Sequence, residues 1–209
     1  MLIKIIVCLI IGYIFGLFQT GYLYGKILYG VDVRKYGSGN AGTTNTIRTL
    51  GKPAGYIVFL GDGLKAVFAI LLVRYVIFPG LPQTDLLALI TGFGVVLGHD
   101  FPFYMHFQGG KGIATTGGVM FTLDIRMAII AAIVFALIFF TTRYVSVGSL
   151  AITALFPFML LIFFPGQPLM FAVGLLFTAM AWWRHKANII RLKNGTENRF
   201  DRKKKKSQE

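Results

Sequence analysis

Apolar runs thread this chain at 2–24, 54–78, 86–97, 113–123, 127–140, 147–164 and 169–183, each ended by glycine, proline or charge. A helix needs about 20 apolar residues to cross about 30 Å of hydrocarbon. Lipid offers no hydrogen bonds, so such a run must satisfy its own backbone, and an α-helix does that within one segment. A chain of 209 residues that is 56% hydrophobic leaves no room beside these runs for a separate soluble domain. The pattern predicts an all-α polytopic membrane protein of about seven transmembrane helices, some of them short. The runs at 86–97 and 113–123 are too short to cross a bilayer unaided. Short, glycine-interrupted segments point to a binding site, because irregular backbone at membrane depth must be satisfied by protein, water or ligand.

Charge orients the helices. The turns at Pro79, Gly80, Pro82 and at Pro165, Gly166, Pro168 carry no Lys or Arg, which assigns them to the outer face. Lys26, Arg34, Lys35, Arg48, Lys52, Lys111, Arg143 and the basic tail then fall inside, against Lys4 and Arg126 outside. This predicts an outer amino terminus and a cytoplasmic carboxyl terminus. Residues 1–198 read as one transmembrane domain and 199–209 as a basic cytoplasmic tail. The net charge of +13 is concentrated after Trp183, including the lysine run 203–206, which fits anionic lipid headgroups and a topology signal rather than nucleic acid. Cys8 stands alone, so it forms no intramolecular disulfide and no metal-ligand cluster. The first run is longer than a signal-peptide core and lacks a small-residue cleavage pattern, so it is expected to stay in the mature protein.

This threading places three polar segments, 37–48, 98–112 and 184–197, on one face. The first gathers Gly37, Ser38, Gly39, Asn40, Gly42, Thr43, Thr44 and Asn45, with Arg48 a turn later. Glycine lets backbone N–H groups turn toward an anion, although the same composition also makes an ordinary loop. In the second, Gly109, Gly110, Lys111 and Gly112 precede an apolar helix, which brings free N–H groups, the positive helix end and an ammonium together. It is not a Walker loop, since Gly112 rather than Ser or Thr follows Lys111. In the third, His185 and Asn188 lie about one helical turn apart, and Arg191 and Lys193 serve the same anion or the headgroups.

Elsewhere His99 reads as structural, with proton acceptor as the alternative, His106 lies in an aromatic loop with no evident partner, and Asp62 with Lys65 reads as an ion pair on one helix face. Gly12 with Gly16, and Gly21 with Gly25, read as close helix contacts. There is no Gly-x-Ser-x-Gly elbow, no thiol beside a histidine and no carboxylate cluster for a metal. An enzyme built this way needs a substrate that is already activated.

The Gly-Ser-Gly-Asn-Ala-Gly-Thr-Thr-Asn loop, the segment from Gly98 and His99 to Gly109, Gly110, Lys111 and Gly112, and the His185, Asn188, Ile189, Arg191, Leu192, Gly195, Glu197 tail together resemble the bacterial acyl-phosphate:glycerol-3-phosphate acyltransferases. The resemblance spans the whole chain. It implies an inner-membrane, multi-pass enzyme with its active site on the cytoplasmic face. Such an enzyme moves an acyl group from acyl phosphate to the 1-hydroxyl of glycerol 3-phosphate, giving lysophosphatidic acid and phosphate in phospholipid biosynthesis. By the same resemblance Ser38, Asn40, Thr44, Asn45 and Arg48 bind substrate, Gly109, Gly110 and Gly112 cradle the acyl phosphate around Lys111, and His185 and Asn188 complete the catalytic set. No cofactor, metal, nucleic acid or obligate protein partner is implied. Ala41 stands where proline is common and Gln108 where a basic residue is common, which leaves the role of Gln108 open.

The chemistry is consistent with that list. Acyl phosphate carries a good leaving group, so a protein mainly has to align two anions, offset their repulsion and stabilise the developing oxyanion. Lys111, Arg48 and backbone N–H groups are the expected agents, with either His185 or the acceptor's own phosphate taking the hydroxyl proton. Two other readings use the same residues. A transporter of a phosphorylated anion would place the cations near mid-membrane, and a lipid-binding scaffold would make the glycines mere loop.

Overall fold

The computed structural model describes residues 1–200, and every regular element among them is helical. The lysine run 203–206 lies outside the described residues. In chain order the helices are α1 (Leu2–Gly16), α2 (Thr20–Tyr29), α3 (Thr43–Leu50), α4 (Lys52–Leu72), α5 (Thr84–Asp100), α6 (Ile113–Leu123), α7 (Ile125–Thr142), α8 (Val145–Phe163), α9 (Pro168–Arg184) and α10 (Lys186–Lys193). Five helical stretches are long and apolar enough to cross a membrane, and α6 and α9 are shorter apolar helices. These correspond to the apolar runs of the sequence, with two corrections.

First, the run at 2–24 is two helices, α1 and α2, broken at Gln19. The Gln19 side-chain amide donates to the carbonyl of Gly16 at the break and to those of Gly98 and His99 at the end of α5, at 3.1, 3.3 and 3.0 Å. Second, α5 spans 17 residues rather than the short run read from apolarity. Its ends are polar, and tertiary partners make them affordable in lipid: Asp85 pairs with Arg74 and the His99 ring with Lys65. A cut by hydrophobicity trims residues whose partners lie on other helices. α6, at 11 residues, stays short.

Where every helix is apolar all round, hydrophobicity cannot decide which one lies inside. Small residues decide, because they let backbones approach. On α1, a Cβ added at Gly12 would stand 2.2 Å from the Thr91 carbonyl, and one at Gly16 2.3 Å from that of Val95. On α5, one at Gly94 would meet the Leu9 carbonyl at 2.7 Å and one at Gly98 the Tyr13 carbonyl at 2.2 Å. This paired glycine seam locks α1 along α5. Helix α5 also touches α4, α6 and α9, and so forms the centre of the bundle. Helix α7 instead turns Ile129, Ile133, Leu137 and Phe140 outward, as a lipid-facing helix does.

Helix α8 contains Pro157, which cannot donate to the carbonyl four residues earlier. That carbonyl, on Thr153, accepts the Thr178 hydroxyl of α9 at 2.7 Å. The proline thus creates an interhelical hydrogen bond. At one end of the bundle, Arg74 reaches Asp85 and donates to the Thr122 carbonyl at 3.3 Å, tying three helix ends together. The three polar segments gather at the opposite end.

Candidate functional site

A cavity of about 230 Å³ opens where the segments meet, lined by Ser38, Gly39 and Asn40, by Gln108, Gly109 and Lys111, and by Arg184, Ala187, Asn188 and Arg191. Its lining carries three cations and, among the described residues, no carboxylate.

The first wall is built by Asn45. Buried at the start of α3, its side-chain oxygen accepts the Ser38 N–H at 2.7 Å, and its amide donates to the carbonyls of Val33, Tyr36 and Asn40 at 2.8, 3.1 and 2.8 Å. Gly37 and Gly39, at φ of 61° and 74°, allow the loop to wrap around this one side chain. Asn45 therefore shapes the loop rather than facing the cavity. Asn40 accepts the Gly42 N–H at 2.9 Å and reaches across to the Gly109 carbonyl at 3.4 Å. Thr44 does not line the cavity. Arg48 is exposed and does not line the cavity; desolvation lowers its pKa and the Glu197 charge opposes that shift.

The second wall departs from expectation. The Gly109 N–H donates to the Asp100 carbonyl at 3.1 Å and the Gly110 N–H to that of His99 at 3.0 Å, so neither is free for a ligand. Their carbonyls point the other way: Arg184 donates to Gly110 O at 3.1 and 2.7 Å and to Gly109 O at 3.3 Å, with its guanidinium over the Phe101 ring at 5.0 Å. Anion-binding capacity in this segment rests instead on the Lys111 ammonium, with the Lys111 and Gly112 N–H groups at the α6 terminus free of backbone partners. Gly112, at φ of 70°, makes the turn that starts α6.

The third wall holds Lys111 in place. The Asn188 oxygen accepts from the Lys111 ammonium, while the Asn188 amide donates to Glu197 at 2.6 Å. Glu197 in turn accepts from Ser146 at 2.9 Å and Arg191 at 2.7 Å. Burial pushes the Glu197 carboxyl upward, but hydrogen bonds from Asn188, Arg191 and Ser146 outweigh it and its pKa falls. Burial lowers the Lys111 pKa to about 8; Glu197 opposes this and Arg191, Arg184 and Arg48 add to it. His185 is buried behind this wall, its Nδ1 lying 2.7 Å from the Ala181 carbonyl. A carbonyl only accepts, so Nδ1 carries the proton and Nε2 is left as an acceptor. Burial, then the Lys111 charge, lowers the His185 pKa to about 4, so the ring is neutral near pH 7.

The structure thus brings Ser38, Asn40, Gly109, Lys111 and Asn188 to one cavity and sets Asn45, Arg48, Gly110, Gly112 and His185 around it. Sequence reasoning gave no site role to Arg184, the Gly109–Gly110 clamp, or to Glu197, the hub that orients Asn188. Arg184 was legible only as one more tail cation beside His185. Glu197 offered a better signal, as the acidic residue within a basic segment.

A family profile described as "Glycerol-3-phosphate acyltransferase" matches residues 6–195. A glycerol-3-phosphate acyltransferase of Alkaliphilus metalliredigens is 40% identical over 195 residues, covering 93% of this chain and 95% of the relative. The corresponding protein of Clostridioides difficile is 39% identical, covering 95% and 97%. Among solved structures, PlsY, an integral membrane glycerol 3-phosphate acyltransferase, superposes in its glycerol 3-phosphate form with a TM-score of 0.83 at 35% identity, covering 94% of this chain and 96% of that one. Its lysophosphatidic acid form gives 0.81 at 34% identity, covering 94% and 95%.

Proposed function

The chain belongs to the glycerol-3-phosphate acyltransferase family, and from that premise we propose that it transfers an acyl group from acyl phosphate to the 1-hydroxyl of glycerol 3-phosphate. The products are lysophosphatidic acid and phosphate. The observation that carries this reading is Lys111, held by Asn188 in a cavity that also presents Arg184 and Arg191. Two phosphoryl groups repel each other, and this lining offsets their charge without a carboxylate to oppose it. A transporter would spread such cations along a path through the membrane, whereas here they sit at one end of the bundle.

In the reaction, the substrate hydroxyl oxygen attacks the acyl carbon, the bond from that carbon to the phosphate oxygen breaks, and phosphate leaves with the electron pair. Lys111 and the free N–H groups at the α6 terminus stabilise the charge that develops on the acyl and leaving oxygens. Ser38 and Asn40 hold the acceptor from the first wall. The hydroxyl proton has two possible destinations, and their basicities separate them. A phosphate monoester has a second pKa of about 6, while the His185 pKa is about 4, so the acceptor's own phosphate is the stronger base. His185 Nε2 is then a neutral hydrogen-bond acceptor beside Lys111, adding no charge to the cavity.

The site lies on the cytoplasmic face of a bacterial cell membrane, with the amino terminus outside. This assignment is supported by the clustering of Arg48, Lys111, Arg184 and Arg191 at one end against the sparser cations Lys4, Arg74 and Arg126 at the other, of which Arg74 is paired with Asp85. Purified protein in detergent, given acyl phosphate and glycerol 3-phosphate, is expected to yield lysophosphatidic acid and phosphate in equal amounts. Uptake of a phosphorylated solute into vesicles, with no such product, would favour a transporter.

A further inference from the structure

Beneath the glycine loop lies a chain of buried polar groups that the reaction above does not use. Lys65, in the middle of α4, is 5% exposed, and Asp62, one turn earlier, is 1% exposed. The Lys65 ammonium reaches the Phe18 carbonyl at 2.7 Å, the Asp62 carboxylate at 3.1 Å, the Gly16 carbonyl at 3.3 Å and His99 Nδ1 at 2.7 Å. Thr20 donates to the same Asp62 oxygen at 3.0 Å. An isolated charge inside a membrane protein is costly, and a charge pair at that depth is retained where it serves a site. Helix packing alone does not require it, because apolar residues of similar volume usually replace a buried pair at little loss of stability.

The pair ends on the catalytic segment. An ammonium only donates, so His99 Nδ1 is the unprotonated nitrogen and Nε2 carries the hydrogen. Lys65 therefore fixes both the tautomer and the direction of the ring. That ring fills the place where a side chain on Gly110 would stand: a Cβ there would lie 1.9 Å from His99 Nε2. The carbonyl of the same histidine accepts the Gly110 N–H at 3.0 Å. His99 thus grips Gly110 on two sides, with Arg184 on its carbonyl, and the next residue is Lys111.

We propose that Asp62, Lys65 and His99 are positioning residues for acyl transfer: the pair orients the His99 ring, and the ring sets the path of Gly110 and hence the placement of the Lys111 ammonium. This rests on the acyltransferase reading, and it assigns the Asp62 and Lys65 ion pair a role beyond packing. Nothing in the chain need touch substrate from this network. A misplacement of about 1 Å at a reacting group costs on the order of 10²-fold in rate.

A double-mutant cycle on the full-length protein tests this, read as kcat and KM for acyl transfer from acyl phosphate to glycerol 3-phosphate. His99→Ala alone is expected to lower kcat on the order of 10²-fold. In a Lys111→Ala background the same change is expected to cost no more than about twofold, the usual scatter of independent sites. A merely structural histidine would lower both backgrounds by the same factor, and that additivity would overturn the proposal. Asp62→Asn with Lys65→Met, which removes both charges together, is expected to reproduce the loss and its dependence on Lys111. Full activity in that double variant would also overturn it. His99→Gln guards against a folding failure in His99→Ala. A His99→Gln chain that aggregates on size exclusion would make His99 a folding residue, against the proposal. Wild-type protein that transfers no acyl group would instead refute the acyltransferase reading itself.

Discussion

Replacing Lys111 with alanine removes a cation that lines the cavity and is held there by the neutral side chain of Asn188. Its partial burial, which lowers its pKa to about 8, means that its interactions act in a medium poorer than bulk water. A single charge-assisted hydrogen bond contributes about 1.5 to 3 kcal/mol, and one preorganised donor to a developing oxyanion about 2.7 to 4 kcal/mol. Lys111 belongs at the upper end, since Asn188 and Glu197 fix it before substrate arrives. The expected loss is about 3 to 4 kcal/mol, or 10² to 10³ in kcat. Arg184 and Arg191 remain in the lining to bind phosphate, so KM for glycerol 3-phosphate should move far less than kcat. Steady-state phosphate release from purified variant and wild type, with thermal unfolding in the same detergent as a fold control, measures both constants. Lys111→Arg should restore only part of the rate, because a planar guanidinium cannot take the place of a compact ammonium. Near-full turnover in Lys111→Ala, or a loss confined to KM, would refute this role.

Lys111 must be protonated to act, so kcat/KM should decline as pH rises through about 8, and saturating acyl phosphate should move that limb upward because an anion favours the charged amine; a rate that stays level a full unit above that value contradicts this. An acidic limb near about 6, the second pKa of a phosphate monoester, should survive in His185→Ala, and its disappearance would make His185 the base. Gly110→Ala places a methyl group 1.9 Å from the buried His99 Nε2, so transfer should fall sharply and the unfolding midpoint in detergent should drop as well; normal turnover would show that the loop has slack. Gly16→Ala wedges the α1 and α5 seam, where the added Cβ meets the Val95 carbonyl at 2.3 Å, and should cost about 1 to 3 kcal/mol of stability, read as a lowered unfolding midpoint in detergent.

Membrane helices announce themselves because lipid demands self-satisfied backbone, and the apolar runs therefore located the stretch of α1 and α2 and the helices α4 to α9, but not α3, which lies in the polar segment after the first run. The ends were less legible. α5 extends through Thr84 and Asp85 at one end and His99 and Asp100 at the other, and only the distant Arg74 and Lys65 explain why those polar residues are tolerated. The placement of the three polar segments on one face followed from the threading of the apolar runs. What each side chain does there did not follow. Asn45 has the composition of a ligand-binding residue, yet its amide is consumed in loop contacts. Gly109 and Gly110 look like an anion cradle until their N–H groups are found donating to Asp100 and His99. Asp62 and Lys65 were readable as a pair from their spacing, whereas their connection to His99 depends on the packing of α4 against α5. Such roles depend on contacts between residues far apart in the chain, and local pattern carries no record of them.

Direct transfer to the hydroxyl is most plainly tested with glycerol 3-phosphate carrying an oxygen-18 label in its 1-hydroxyl. Attack of that oxygen on the acyl carbon places the label in the ester of lysophosphatidic acid and leaves the released phosphate unlabelled, both readable by mass spectrometry. Label in the released phosphate, or free fatty acid and phosphate with no labelled ester, would contradict a cavity that joins the two substrates.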